Sequence, residues 1–148
     1  MRGVTNFGPE LMTTFDASVA LAGPWAEARW RAGRRPANHE VLAVLNQGCG
    51  HRGVSGAYKR ATASDAALVA AAGGVDAVSS GLGGLLEQCW PAIVAVAQKL
   101  VRTGEAVHED VTAALGLSVD RSRHPFELAN IRADLRTVRT PGSAETVS

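Results

Sequence analysis

Residues 81–102, GLGGLLEQCWPAIVAVAQKLVR, carry the strongest periodic signal in the chain. Apolar side chains recur at spacings of three and four residues, which is typical of one face of an amphipathic helix. We therefore predict a long helix over about 81–102, with Gly81–Gly84 as a turn leading into it. Because Pro91 lacks an N–H group, we expect a kink near Glu87. The periodic positions are Leu82, Leu85, Leu86, Cys89, Ile93, Val96, Ala97 and Leu100.

Shorter helices are predicted on both sides of this stretch. The chain has 148 residues, of which 46% are hydrophobic and 20% charged, so it is long and apolar enough to bury a core. Ala and Leu favour helices. We predict an all-α fold, a small helical bundle with a long C-terminal amphipathic helix pair. Residues 1–15 are predicted as an irregular leader, 16–139 as a single helical domain and 140–148 as a disordered tail. The remaining helices are expected over about 17–31, 38–46, 64–72 and 108–115, and from Pro125 onward with Leu128, Ile131, Leu135 and Val138 as an apolar stripe.

Local signals define these shorter helices further. Val19 and Trp30 are expected on one face of the first helix, in which Pro24 should cause a kink or a restart. Asn38 is the expected N-cap of the second helix. Glycines are expected to end several helices; among them are Gly73, Gly104 and Gly116.

The charge and cysteine content restrict the class of protein. A formal net charge of +1 gives no general attraction to nucleic acid or to an anionic membrane. The two cysteines are too few for a disulfide scaffold, no signal peptide precedes them, and no apolar run reaches membrane-spanning length. These features predict a cytoplasmic protein that does not span a membrane. Arg29, Arg31, Arg34 and Arg35 form a basic patch, interpreted as a solvated helix end and loop.

The polar residues offer only fragments of metal or nucleophile sites. His39-Glu40 begins an HExxH pattern, but Ala43 stands where the second histidine is needed to grip zinc. Cys49 and His51 lie two residues apart and could share a metal or form a nucleophile pair, although the simpler interpretation is a loop. The tertiary structure would have to bring further ligands next to this pair; the candidates are His39, His108, His124 and Cys89. Cys89, on the apolar stripe, is predicted to be a core residue.

Three segments, in order, resemble the later half of FtsH-type peptidase domains, which are zinc metallopeptidases linked to an AAA+ module. They are residues 19–33 (VALAGPWAEARWRAG), 61–69 (ATASDAALV) and 85–117 (LLEQCWPAIVAVAQKLVRTGEAVHEDVTAALGL). Ala26-Glu27 resembles the Ala-Glu of the family's small-residue helix. The resemblance implies that Asp65 is the third zinc ligand. Taken by itself, Asp65 is a first-turn carboxylate that stabilises the positive end of a helix.

The chain departs from the family pattern in two places. The HExxH helix expected upstream of residue 19 is absent, as is the AAA+ module, and the interval between Glu27 and Asp65 is longer than in the family. The resemblance therefore implies a truncated or degenerate metallopeptidase-like domain, with the active half upstream or on a complementing chain. Zinc would bind only with ligands from elsewhere, and the chain alone is not expected to hydrolyse peptides.

Two other functions stay open at the level of sequence. The first is a non-enzymatic helical module that binds a protein or peptide, using the helix pair 81–102 and 108–115. The second, less favoured, is a helix-turn-helix DNA-binding protein. Residues 109–118 resemble its first helix and turn, and several arginines could reach phosphates, although the 118–124 connection is long for that motif. These arginines are Arg121, Arg123, Arg132, Arg136 and Arg139.

Overall fold

All secondary structure in the described part of the chain is helical. The structure, a computed structural model, describes residues 16–47 and 56–138, and the side chains of 17–47 and 64–138. The predicted all-α bundle is confirmed. The predicted leader 1–15 and tail 140–148 lie outside the described residues, and the assignment of 16–139 to one domain stays a prediction. The helices are α1 (Asp16–Ala32), α2 (Asn38–Gln47), α3 (Gly56–Ala71), α4 (Gly74–Gln88), α5 (Trp90–Thr103), α6 (His108–Ala114) and α7 (His124–Arg132), with a 3-10 turn at Arg121–Arg123.

The chain divides into two compact units, residues 1–83 and 84–148, and the division falls inside α4. In the first unit, α1 packs against both α2 and α3, and α2 contacts α3. Leu21 and Trp25 of α1 are almost completely buried, as are Val41 of α2 and Val69 of α3. Burying such side chains is worth about 1.5–3 kcal/mol each, so these four residues are the main apolar contribution to this unit.

The buried face of α1 differs from the one that its periodicity suggested. Val19 and Trp30, expected on the inner face, are 53% and 69% exposed, while Leu21, Trp25 and Ala28 are buried. Both faces of α1 carry apolar residues, so periodicity does not decide between them. Helix α1 also continues through Pro24, where a restart was one of the expected outcomes.

Helix α2 is capped by Glu40 rather than by Asn38. The carboxylate of Glu40 accepts the backbone N–H of Ala37 at 2.7 Å, which is the reciprocal half of a capping box. The Arg34 guanidinium donates two hydrogen bonds to the same carboxylate, each 2.9 Å long. Asn38, the predicted cap, instead donates its side-chain N–H to Asp76 of α4 at 2.6 Å.

The expected turn at Gly81–Gly84 was wrong, whereas the interruption expected near Glu87 is present as a break at Cys89. Gly81–Gly84 lie within α4 rather than in a turn, and the turn before α4 is made by Gly73 and Gly74, with φ of +98° and +86°. The predicted helix over 81–102 is in fact two helices, since α4 ends at Gln88 and α5 begins at Trp90. Because Pro91 lies in the first turn of α5, its missing N–H is not needed for a helical hydrogen bond.

In the second unit, α5 packs against α6, as expected for the C-terminal helix pair. Its core consists of Ala92, Ala114, Ile131 and Val138. Helix α7 ends at Arg132, so the predicted stripe does not continue on the helix. Leu135 is 77% exposed, and Val138 is buried from a segment beyond the helix.

Candidate functional site

Asp65, the predicted zinc ligand, lies in the third turn of α3. The first-turn interpretation was wrong, because α3 begins at Gly56, eight residues before Ser64. Asp65 is half-buried and lies one helical turn before Val69, which is 1% exposed. The carboxylate is therefore on the face of α3 that packs inward. Burial raises the pKa of Asp65 above its ordinary value, because desolvation penalises the charged form.

Within the described ranges, the other residues considered as metal ligands form no group of three with Asp65. Cys49 and His51 lie outside the described residues. His39 is exposed on the first turn of α2, where it lines a cavity of about 350 Å³ with Asn38 and Asp76. Among residues 16–47 and 56–138, no three His, Cys, Asp or Glu side chains form a metal-binding group. To hold zinc, Asp65 would need further ligands from outside these ranges or from another chain.

Glu27, which resembles the Glu of the Ala-Glu pair in FtsH-type peptidase domains, is exposed on α1. Its carboxylate forms an ion pair with Arg31 one turn later, and Arg31 also donates to the Gln47 side chain at 2.8 Å. Arg34 of the same basic patch pairs with Glu40. The patch is thus partly neutralised by its own surface carboxylates, in agreement with its interpretation as a solvated helix end.

An open apolar groove runs beside α5 in the second unit. It has a volume of about 560 Å³ and is lined by thirteen side chains, which belong to α4, α5, α6 and α7 and to Cys89 and Leu115 beside these helices. Twelve of them are apolar or thiol, and Arg132 is the single charged residue of the lining. We call this feature the α5 groove. Its walls include Ile93, Val96 and Leu100 of α5, Val111 of α6, Leu115 directly after α6, and Arg132 of α7.

Cys89 lies at the break between α4 and α5 and lines the α5 groove. It packs against the buried cluster of the second unit but is itself only partly buried. The prediction that Cys89 is a core residue is therefore confirmed only in part. Burial raises the pKa of its thiol above the usual value. A thiol in this state is a poor nucleophile, since the thiolate is the reactive form.

A buried carboxylate, Glu127, fixes the segment before α7, and no motif in the sequence marks it. It is 6% exposed and accepts hydrogen bonds from Ser118 and Arg136. His124, the first residue of α7, contacts the Ser118 carbonyl oxygen through Nε2 at 2.8 Å. The sequence marks Glu127 only as an acidic residue in the first turn of α7, two residues after Pro125, where a negative charge is stabilised by the helix dipole.

The arginines considered for DNA binding have varied surroundings. Arg121 pairs with Glu109, and Arg136 pairs with Glu127. Arg139 lies outside the described residues. These pairings reduce the charge that Arg121 and Arg136 present to a phosphate, and the helix-turn-helix hypothesis stays a prediction.

Within the described ranges, no individual helix has both the length and the apolar character needed to cross a bilayer. One pair of segments, Ser64–Ala71 and Gly74–Gln88, meets the criterion jointly, with a bend of 90° between them.

Comparison with protein-family models found no match. Searches of curated proteins and of solved structures also found no significant match.

Proposed function

We propose that the chain is a metallopeptidase-like helical unit related to the FtsH-type zinc proteases. In this proposal, Asp65 supplies one carboxylate ligand, and the remaining ligands come from residues outside the described ranges or from a complementing chain. Proteolysis would belong to the completed assembly. The proposal rests on the resemblance of residues 19–33 and 61–69 to that family and on the position of Asp65.

The setting of Asp65 is the observation that carries the proposal. The two resembling segments lie on α1 and α3, and these helices pack against each other. Asp65 is half-buried on the inner face of α3, and its pKa is raised by desolvation. A bound cation would offset the cost of holding that carboxylate ionised away from water. Carboxylate oxygen is an accepted zinc ligand beside two histidines.

Zinc binding tests this function. The metal-free chain, its Asp65→Asn variant and an Asp76→Asn control would be titrated with zinc, alone and with a helical peptide bearing HExxH. We expect about one zinc per complex for the wild type and the control, and a loss of affinity of about tenfold or more in Asp65→Asn. Equal affinity in all three proteins, or no binding even with the peptide, would contradict the proposal.

A second function, a helical module that binds a protein or peptide, is favoured by one specific observation. The α5 groove leaves Leu100 and Val111 38% and 42% exposed beside a wall of apolar side chains. Contiguous apolar surface of this kind commonly marks an interaction site. This function requires neither zinc nor Asp65, so the Asp65→Asn variant should retain it.

A further inference from the structure

The α5 groove has the dimensions of a helix-binding site. From Cys89 to Leu100 the chain advances eleven residues, or about 16 Å of helix, which corresponds to three turns. The groove is bounded by α5 together with α6 and α7. An amphipathic helix presents anchors at positions i, i+3, i+4 and i+7, a span of about 10 Å, and these anchors would fit within this length.

The exposure of the groove argues for a macromolecular occupant rather than a small one. Leu100 and Val111 are both more than one third exposed although they line the groove. Pockets for small ligands usually bury about 70–90% of the ligand surface. A small molecule here would leave one side in water, whereas a helix would cover the groove and its exposed apolar edge together.

The charge at the groove defines the chemistry of the occupant. Arg132 is the single charged residue of the lining, and its side chain is exposed at the groove edge. Within the described residues Arg132 forms no ion pair, whereas two other basic residues of this unit are paired: Lys99 with Asp110 and Arg136 with Glu127. A carboxylate placed beside the apolar face of the incoming helix would therefore meet an arginine that has no competing acidic partner there.

We infer that the α5 groove docks an amphipathic helix of a partner protein, and that this helix carries an acidic residue beside its apolar face, opposite Arg132. The inference rests on the proposed interaction function and specifies its partner. Apolar anchors provide the affinity, while the pairing with Arg132 selects acidic over basic helices.

The test uses the full chain and two labelled helical peptides of about 16 residues. Both carry leucines at i, i+3, i+4 and i+7, and one has glutamates where the other has lysines beside the apolar face. Affinities are measured by fluorescence anisotropy for the wild type, Arg132→Glu, and a matched control, Arg102→Glu, which changes an exposed charge of α5 outside the groove lining. Phosphatidylglycerol vesicles form a third probe.

The wild type should bind the glutamate peptide about fivefold more tightly than the lysine peptide. Arg132→Glu should reverse this preference, and Arg102→Glu should leave it unchanged. Circular dichroism and thermal melts establish that each variant is folded. A Val96→Glu variant, which places a charge in the groove wall, should lower the affinity for both peptides by about tenfold or more.

Equal affinity for the two peptides, with both weakened by Val96→Glu, would leave the interaction function standing and overturn the acidic partner. No binding of either peptide would overturn both. Binding that depends on Arg132 but occurs only with the vesicles would replace the helix by an anionic lipid surface and would also overturn the inference.

Discussion

Glu127 and Ser118 are joined by two hydrogen bonds to one oxygen. Glu127 Oε2 accepts the backbone N–H of Ser118 at 2.9 Å and the Ser118 hydroxyl at 3.1 Å. The other oxygen, Oε1, lies 3.1 Å from Nη1 of Arg136. The backbone hydrogen bond from Ser118, followed by the contacts with Arg136, holds the pKa of Glu127 below its usual range. Glu127 therefore remains ionised although it is buried, and it fixes the loop before α7 to the segment after it.

Replacing Glu127 by glutamine should destabilise the protein. Gln retains one acceptor for Ser118 but loses the charge that faces Arg136, so we expect the melting temperature at pH 7 to fall by about 5 °C. Glu109→Gln is the matched control, because Glu109 pairs with Arg121 at a site where both side chains are largely exposed. The control should change the melting temperature by no more than about 1 °C. Equal effects in the two variants would contradict the structural role of Glu127.

The contribution of Glu127 should depend on pH in one direction. Its pKa is lowered in the folded protein from an ordinary value of 4.5. The stabilisation is therefore complete above that pH and is lost as the pH falls through the folded pKa. Melting curves of the wild type and Glu127→Gln, measured from pH 7 downward, should converge below pH 4.5. A difference that grows as the pH falls would show that another group is responsible.

Alanine substitutions at Gly81 and Gly83 of α4 should change the free energy of unfolding differently, because only Gly83 is closely packed. A Cβ at Gly81 would meet no atom within 4 Å, whereas one at Gly83 would lie 3.2 Å from Arg35 Nη2 and 3.5 Å from Trp25 Nε1. Alanine is preferred to glycine inside a helix by about 1 kcal/mol. We expect Gly81→Ala to stabilise the protein by about 0.5–1 kcal/mol.

Gly83→Ala should recover less of this gain, or reverse it, because the Arg35 guanidinium must move by a few tenths of an ångström to admit the methyl group, while Trp25 is in ordinary contact with it. Urea unfolding at 25 °C measures both variants against the wild type. Equal stabilisation by the two substitutions would show that this contact is not tight in solution.

Asp65→Asn should raise stability when no metal is bound. Burial raises the pKa of Asp65, so holding the carboxylate ionised at pH 7 opposes folding. Asparagine removes that cost, and we expect a rise in melting temperature of about 1–2 °C in chelator-treated protein. Below the ordinary pKa of 3.8 both side chains are neutral, and the difference should vanish. A fall in melting temperature at pH 7 would indicate instead that the ionised carboxylate has a stabilising partner.

Cys89 should react slowly with thiol reagents in the folded protein. Its thiol is half-buried in the α5 groove, and burial raises its pKa, so little thiolate is present at pH 7.5. Alkylation with iodoacetamide would be followed by mass spectrometry in a Cys49→Ser background, where Cys89 is the remaining cysteine. We expect the rate to be about tenfold or more below that in urea. A bound groove peptide should slow it further, and a rate equal to that of unfolded protein would place Cys89 in solvent.

Much of the helix layout follows from local chemistry. The glycines at 73, 104 and 116 were expected to end helices, and α3, α5 and α6 all stop next to them. The locations of α2 and α6 were predicted to within a residue or two. The same reasoning failed for Gly81–Gly84, since glycine lowers helix propensity without forbidding a helix. At Gly83 the absence of a side chain permits the close approach of Arg35 and Trp25, which no local pattern reveals.

Local sequence patterns predicted only part of the two candidate sites, Asp65 and the α5 groove. Asp65 was singled out through a resemblance, but its place in the third turn of α3 depends on where that helix begins. The apolar stripe of residues 85–100 predicted one wall of the α5 groove, because most of its side chains line it. The stripe does not reveal that Arg132 also lines this groove, because that position depends on how α7 packs beside α5 and α6.

The sequence by itself determined that this chain is helical, where most of its helices end and that its strongest apolar stripe lies in the C-terminal half. Composition, glycine stops and periodicity act over a few residues and can be read along the chain. The tertiary structure decided which face of α1 is buried, that Glu127 remains charged in the interior, and that an apolar groove is edged by Arg132. These features depend on contacts between residues distant in sequence, because burial and pairing are properties of the packed surfaces rather than of any local segment.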